Sequence, residues 1–292
     1  MENSVQLGTQ NYKDSISARL RELREQEALP FQIQEIQQGK YWLIQCDFQG
    51  SADEVSEGTQ TVSKIQRYYL ANVLTETILL NWEKDYVRQS LGRNYNLKKE
   101  ECLEVLPKAL QYLNGELGRG SKSYREHRKA SLLTQILVCL ENNSFFDVEG
   151  FLRFRARAYR LEVDKALSYT VDEYMLQKEY LEFIELLKHF LDTQIPRIDT
   201  LHVGISSKGK FHLFNDQGEK VTGQFLENYT LDGDGSEFSY EDLLISSLIA
   251  VAPRQVVLHI CFDGYRDTLE TVRKVFKDRV SYCSGCAICD KL

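Results

Sequence analysis

Forty-five consecutive residues, from Phe151 to Ile195, contain neither proline nor glycine, and this stretch constrains the fold more than any other part of the chain. Proline and glycine are the strongest breakers of regular structure, so their absence predicts a helix throughout the stretch. Because helices of globular proteins usually run about 8 to 20 residues, we expect it to divide into two helices. Pro196 then ends the helical pattern.

The hydrophobic periodicity of the whole chain divides it into three parts. Residues 1–60 read as a small β-α-β-β lobe, and residues 61–196 show helical spacing with almost no strand alternation. Residues 197–292 return to strands alternating with helices. The sequence therefore predicts an α+β protein with an N-terminal β-α-β-β lobe, a central helical region and a C-terminal α/β lobe with a mixed sheet.

The C-terminal lobe is predicted in more detail because its turns are well marked by glycine. Antiparallel strands are expected at 201–206, 210–215 and 221–230. A βαβ unit follows, with a buried strand at 255–261, a helix, and a last short strand at 279–283. A right-handed βαβ connection makes its two strands parallel neighbours, so both of their carboxyl ends lie at one edge of the sheet.

The charge balance argues against one class of partner. The net charge is −7, and residues 61–196 carry twenty basic and nineteen acidic side chains. A generalised nucleic-acid surface needs a local excess of lysine and arginine. We therefore do not expect general nucleic-acid binding.

The chain shows no targeting segment or membrane helix. Its first twenty residues lack a basic start followed by an apolar stretch, and the longest apolar run, 243–252, is half of the roughly 20 residues that a membrane helix needs. We expect a cytoplasmic protein without membrane association. In a reducing compartment, Cys46, Cys102 and Cys139 are most simply buried or free thiols.

Three of the seven cysteines fall within the last ten residues, at Cys283, Cys286 and Cys289. Two C-x-x-C steps that share a cysteine allow a short turn to direct several sulfur atoms at one centre. Zinc sites, iron–sulfur clusters and dithiol redox motifs all use this spacing.

The predicted βαβ unit adds a fourth cysteine to this group. Cys261 ends the first strand and Cys283 ends the second, so Cys261, Cys283, Cys286 and Cys289 are candidate ligands of a zinc ion or a four-cysteine iron–sulfur cluster. His259 and Asp263 are alternative ligands. A redox dithiol and inert, reduced thiols are two further interpretations of the same residues.

A second candidate site is a row of arginines. Arg153, Arg157 and Arg160 have the spacing of one helix face and could bind phosphate or an acidic partner. Apolar residues occupy the opposite face at the same spacing: Phe154, Ala158 and Leu161. A solvated basic face is the alternative interpretation.

The common enzyme motifs are absent from the sequence. It contains no G-x-S-x-G, no H-E-x-x-H and no dinucleotide-binding glycine pattern. The sequence provides no candidate catalytic residue, and we expect a protein that is not an enzyme.

Four segments carry a family resemblance: Glu149–Arg155, Ala166–Tyr174, Lys178–Ile184 and Leu244–Pro253. In these segments the chain resembles the YtxC-type sporulation proteins of endospore-forming bacteria. The resemblance implies a cytoplasmic protein with a role in sporulation, and it supplies no catalytic residues. We therefore expect a protein that binds a protein partner, with the arginine row as its contact surface. A metal-binding or thiol-redox protein that uses the C-terminal cysteines is the alternative.

Overall fold

The computed structural model describes residues 4–27, 31–48, 57–116, 122–205, 211–221, 240–260 and 266–291. The chain forms two compact units, Met1–Met175 and Leu176–Leu292. Each unit combines helices with a four-stranded sheet. The α+β class predicted from the sequence is confirmed.

The first unit begins with the predicted β-α-β-β pattern and continues with helices. Its elements are β1 (Ser4–Thr9), α1 (Lys13–Gln26), β2 (Phe31–Gln38), β3 (Tyr41–Phe48), α2 (Glu57–Thr77), a π-helical turn (Ile78–Trp82), α3 (Glu83–Arg93), α4 (Lys99–Leu113), α5 (Lys122–Asn142), β4 (Phe145–Asp147), α6 (Val148–Gly150), a second π-helical turn (Phe151–Arg155) and the start of α7 (Arg157–Thr193). The sheet order is β2-β3-β1-β4, in which β1 is antiparallel to β3 and parallel to β4. Gly39 turns the β2–β3 hairpin with a φ of +64°, a conformation that glycine adopts without strain.

One hydrophobic core holds this unit together. It contains Leu7 and Ile44 from the sheet, Leu74 from α2, Ile136 from α5 and Leu167 from α7, all of them fully or almost fully buried. The helices present apolar residues at helical spacing to this core, which is the pattern that identified them in the sequence. Side chains from residues 1–60 and from the helical region therefore share the same core.

The prediction of two helices between Phe151 and Ile195 was wrong. After the π-helical turn, Ala156 interrupts the helix with a ψ of 36°, and α7 then continues unbroken from Arg157 to Thr193. Average helix length is a weak guide here, because most of the stability of a helix in a protein comes from the packing of its apolar face. The helix buries Val163 in the core of the first unit and Ile184 in the core of the second.

The second unit is built on the predicted mixed sheet. Its elements are the end of α7, β5 (Thr200–Ile205), β6 (Phe211–Phe214), α8 (Tyr240–Val251), β7 (Gln255–Ile260), α9 (Arg266–Phe276) and β8 (Val280–Tyr282). The strand order is β6-β5-β7-β8; β7 is parallel to both of its neighbours, and β6 is antiparallel to β5. The βαβ unit with adjoining strands is confirmed. The strand expected at 221–230 lies almost wholly outside the described residues.

The two faces of this sheet have different contents. Val203 and Leu258 point into a core that also contains Leu248 from α8 and Val272 from α9. Since side chains alternate along a strand, His202 and His259 lie on the opposite face. The register pairs Gly204 with His259, which places His202 one step away from it on the same face.

A buried ion pair stabilises the first unit. The side chain of Arg128 on α5 is fully buried and donates to the carboxylate of Glu83. The same carboxylate accepts a hydrogen bond from Tyr159, and Arg128 also donates to the carbonyl oxygen of Leu113 at 3.3 Å. Burial raises the pKa of Glu83, and Arg128 opposes this shift by favouring the charged form.

Replacing Glu83 with glutamine should lower the free energy of unfolding by about 3–5 kcal/mol, because the guanidinium of Arg128 then stays buried without a counter-charge. Glu76→Gln is the matched control, since Glu76 pairs with Lys129 at 2.6 Å in a more exposed position. We expect that variant to cost less than about 1 kcal/mol. Both tryptophans, Trp42 and Trp82, lie in the first unit, so tryptophan fluorescence during urea unfolding measures the effect. Equal losses in both variants would contradict the assignment of a buried pair.

Candidate metal centre

The ends of β7 and β8 bring a histidine and a cysteine together. Leu258 pairs with Tyr282 in the parallel register, and the N–H of Cys283 donates to the carbonyl oxygen of Leu258 at 3.0 Å. The ladder therefore extends one residue beyond β8, and Cys283 lies beside His259 at the carboxyl edge of the sheet.

A glycine turn returns the chain to this edge with two more cysteines. Gly285 has a φ of +121°, which is open to glycine but strained for other residues, and it allows the chain to reverse between Cys283 and Cys286. A short 3₁₀ turn that begins at Cys289 follows. The ligand atoms of His259, Cys283, Cys286 and Cys289 all lie within 4.8 Å of one another.

Three of the six distances between these atoms match the edges of a small tetrahedron. The Nδ1 atom of His259 lies 3.3 Å from the sulfur of Cys289 and 3.6 Å from that of Cys286, and the sulfurs of Cys289 and Cys283 are 3.8 Å apart. Tetrahedral zinc, with bonds of about 2.3 Å to sulfur and about 2.0 Å to nitrogen, holds its sulfurs about 3.8 Å apart and its nitrogen about 3.5 Å from each sulfur. These three separations suit one tetrahedral ion, and the other three do not exceed 4.8 Å.

The same spacing distinguishes a single ion from an iron–sulfur cluster. In a four-iron cluster each cysteine binds a different iron, so its ligand sulfurs lie farther apart than ligands that share one ion. Three cysteines and one histidine, close enough to share an ion, form a typical structural zinc set. Of the two cofactors considered from the sequence, the geometry favours zinc.

Backbone amides point at two of the sulfurs. The N–H of Gly285 donates to Cys283 at 3.3 Å, and the N–H of Ile288 donates to Cys286 at 3.4 Å. Hydrogen bonds from the N–H groups of Cys289 and Ile288 lower the pKa of Cys286, because they stabilise its thiolate. For Cys283 the Gly285 N–H acts in the same direction, but burial and the neighbouring thiols outweigh it and raise the pKa. A dication at the centre would favour the thiolate at both positions.

His259 is held as a neutral ligand by its surroundings. Its side chain is buried, with 1% of its surface exposed, and burial followed by the proximity of His202 lowers its pKa. Its Nε2 atom lies 2.9 Å from Nδ1 of His202. If Nε2 carries the proton and donates it to His202, Nδ1 is left with a lone pair directed at the three sulfurs. Histidine ligands of metals commonly make such a second hydrogen bond.

The structure describes part of the ligand set expected from the sequence. Cys283, Cys286 and Cys289 come together as predicted, whereas Cys261 and the alternative ligand Asp263 lie outside the described residues. His259, the other alternative, occupies the fourth position. The alternation of side chains along β7 could have identified His259 as a stronger candidate ligand. Val256 and Leu258 point into the core, so residue 259 lies on the opposite face of the strand.

The three arginines of the second candidate site do not share one helix. Arg153 lies in the π-helical turn, Arg157 and Arg160 lie in α7, and Ala156 separates the two segments. Arg153 and Arg157 are exposed, while Arg160 is half-buried. The supposed apolar face opposite them is exposed as well, with Phe154 at 75%. A role for these arginines in binding remains a prediction.

Comparison with known proteins assigns the chain to a family. The sequence model of the YtxC-like family matches residues 68–281, which is more than half of the chain. The chain belongs to the YtxC-like family. It is also 28% identical over 231 residues to the uncharacterized protein YtxC of Bacillus subtilis (strain 168), an alignment that covers 74% of this chain and 76% of the relative. No solved structure matches the chain.

The YtxC-like match includes only part of the metal centre. Residues 68–281 contain His202 and His259 but end two residues before Cys283. The family description therefore gives no information on the three cysteines, and the case for the centre depends on its geometry. None of the described helices is long and apolar enough to cross a membrane.

Replacing His202 should weaken metal binding without removing a ligand. We expect His202→Ala to lower zinc affinity by about 10- to 100-fold, the usual cost of losing the hydrogen-bond partner of a metal-bound histidine. His202→Gln, whose amide oxygen can accept the same proton, should recover part of the loss. His189→Gln on α7 is the control, because it removes an exposed histidine that lies outside the site. Competition with a chromophoric chelator measures all three, and an unchanged affinity in His202→Ala would show that the contact is irrelevant.

Proposed function

We propose that this YtxC-like protein binds one zinc ion through Nδ1 of His259 and the sulfurs of Cys283, Cys286 and Cys289. The observation that supports the proposal most strongly is the convergence of these four atoms, with separations that suit one tetrahedral ion. The ion would supply the positive charge that keeps three neighbouring thiolates deprotonated.

The proposed zinc site is structural. Four protein ligands complete a tetrahedron and leave no open position for water or substrate, which a catalytic zinc ion requires. Bound zinc would fix residues 283–291 against the carboxyl edge of the sheet. This segment has few apolar contacts of its own, since Cys286 and Ala287 are exposed, so coordination would provide most of its stability.

Elemental analysis of anaerobically purified protein tests the proposal directly. We expect one zinc ion per chain, a colourless solution, and strong visible absorption after replacement of zinc by cobalt, as tetrahedral cobalt thiolates show. Zinc should be lost when Cys283, Cys286 and Cys289 are changed to serine. A matched variant with Cys102→Ser and Cys139→Ser should keep it, because these cysteines lie in the first unit.

Alkylation with iodoacetamide provides a second measurement on the same protein. Zinc should protect the three C-terminal cysteines, and a chelator should make the exposed Cys286 reactive. Cys46 is the internal control: it is fully buried, and burial raises its pKa to about 12, so it should react only after unfolding. A brown protein containing iron would point to a cluster, and a metal-free protein whose cysteines are reactive from the start would contradict any metal site.

We also propose, as a second function, that the protein acts in the cytoplasm during sporulation by binding a protein partner. Membership of the YtxC-like family and the resemblance in its central segments support this context. The exposed Arg153, Phe154 and Arg157 add support, because arginine and aromatic side chains dominate the binding energy of many protein interfaces.

Charge reversal tests the partner-binding proposal. Changing Arg153, Arg157 and Arg160 to glutamate should leave the first unit folded and abolish capture of the partner from sporulating cells. Tryptophan fluorescence should show an unchanged unfolding transition. If the partner is captured equally well by the variant, the arginines do not form the contact surface.

A further inference from the structure

Only part of the apolar face on the second half of α7 packs into the core of the second unit. Ile184 and Leu191 are 2% exposed and belong to the core, and Tyr180 and Leu187 pack beside them. Tyr180 is also linked to Thr271 of α9 by a 2.9 Å hydrogen bond. This row attaches α7 to the rest of the unit.

A second apolar row runs beside the first, and about half or more of each of its side chains is exposed. Leu176, Phe183, Leu186 and Phe190 are between 49% and 66% exposed. At about 100° per residue these four side chains lie in one stripe, directly next to the packed row. These four side chains form a contiguous apolar patch, unlike isolated hydrophobic residues on a protein surface, and patches of this kind mark interaction sites.

The spacing of the stripe indicates what kind of surface it fits. Leu176, Phe183 and Phe190 are seven residues apart, and Leu186 lies three residues after Phe183. A seven-residue apolar repeat is part of the pattern by which one helix packs along another; three residues after each of its first two members, the chain has the acidic Glu179 and the apolar Leu186. A partner helix lying beside α7 would fill the spaces between these side chains.

The charged residues on and beside the stripe indicate which charge a partner would place against it. Glu179 lies within the stripe, three residues after Leu176 and four before Phe183, Glu182 borders it, and no lysine or arginine lies on it. Glu182 is 3.9 Å from Lys178, whereas Glu179 has no ion pair among the residues that the structure describes. A second copy of this chain would bring only the same acids to the stripe, so a helix with basic flanking residues fits better.

We infer that the stripe formed by Leu176, Phe183, Leu186 and Phe190 binds an amphipathic helix of another protein, with lysine or arginine opposite Glu179. This surface lies in the second unit and is separate from the arginine row. The inference does not depend on zinc, because none of its residues is a metal ligand.

Binding of two synthetic helices to the full chain tests this inference. The probe is a fluorescein-labelled peptide of three heptads with leucine at the a and d positions and lysine on the flanks. Its counterpart carries glutamate on the flanks. We expect fluorescence anisotropy to show binding of the lysine peptide only, and Glu179→Lys to weaken that binding and permit binding of the glutamate peptide.

Two leucines on the same helix provide the matched pair of variants. Leu176→Ser removes part of the stripe and should weaken peptide binding by about tenfold or more, since one large apolar side chain loses its buried position in the complex. Leu181→Ser changes a leucine of similar exposure on another side of α7 and should leave binding unchanged. Equal binding by both variants would overturn the inference and indicate charge attraction alone.

Two other outcomes would assign the stripe to a different occupant and overturn the inference. If wild type is a dimer in light scattering and Leu176→Ser is a monomer, a second copy covers the stripe. If Leu176→Ser lowers the melting temperature as much as Ile184→Ala, which removes a buried core side chain, the stripe is covered within the chain itself.

Discussion

Parallel pairing of β7 with β8 is the constraint on which the candidate metal centre depends. A parallel register places equivalent strand ends at one edge of the sheet, so His259 and Cys283 become neighbours although 24 positions separate them in sequence. The connection between the two strands runs through α9. The two remaining cysteines need only a short turn to reach the same point, and Gly285 provides it.

Electrostatics explains why the centre calls for a cation. Three thiols within a few ångströms of one another cannot all lose their protons without a positive charge nearby, and the opposite pKa shifts of Cys283 and Cys286 express this competition. The backbone N–H groups that donate to the sulfurs offset the repulsion among the thiolates only in part. The buried Glu83 and Arg128 of the first unit resolve the corresponding problem differently, since each supplies the counter-charge of the other.

Much of the fold could be predicted from the sequence, because periodicity and glycine turns are local signals. The strands of the second unit and the βαβ connection were placed within one or two residues of their observed ends. Three of the four residues of the candidate centre were predicted as ligands for the same reason. The fourth, His259, required knowledge of which strand face is buried, and this follows from packing rather than from spacing.

The errors of sequence interpretation also have physical causes. The 37-residue length of α7 could not be predicted from average helix lengths, because its two ends pack into different cores. The buried pair of Arg128 and Glu83 was not predicted, because its members are 45 residues apart in sequence. The arginine row failed as a continuous face because a single residue, Ala156, leaves the helical conformation.

The short length of β8 affects the local stability of the second unit. An edge strand of three residues has few ladder hydrogen bonds, so β8 should open more readily than the central strands of its sheet. An ion held partly by β7 and partly by the chain after β8 would fasten this margin to the interior of the sheet. The C-terminal segment would then be protected from proteases when the metal is bound and accessible to them when it is not.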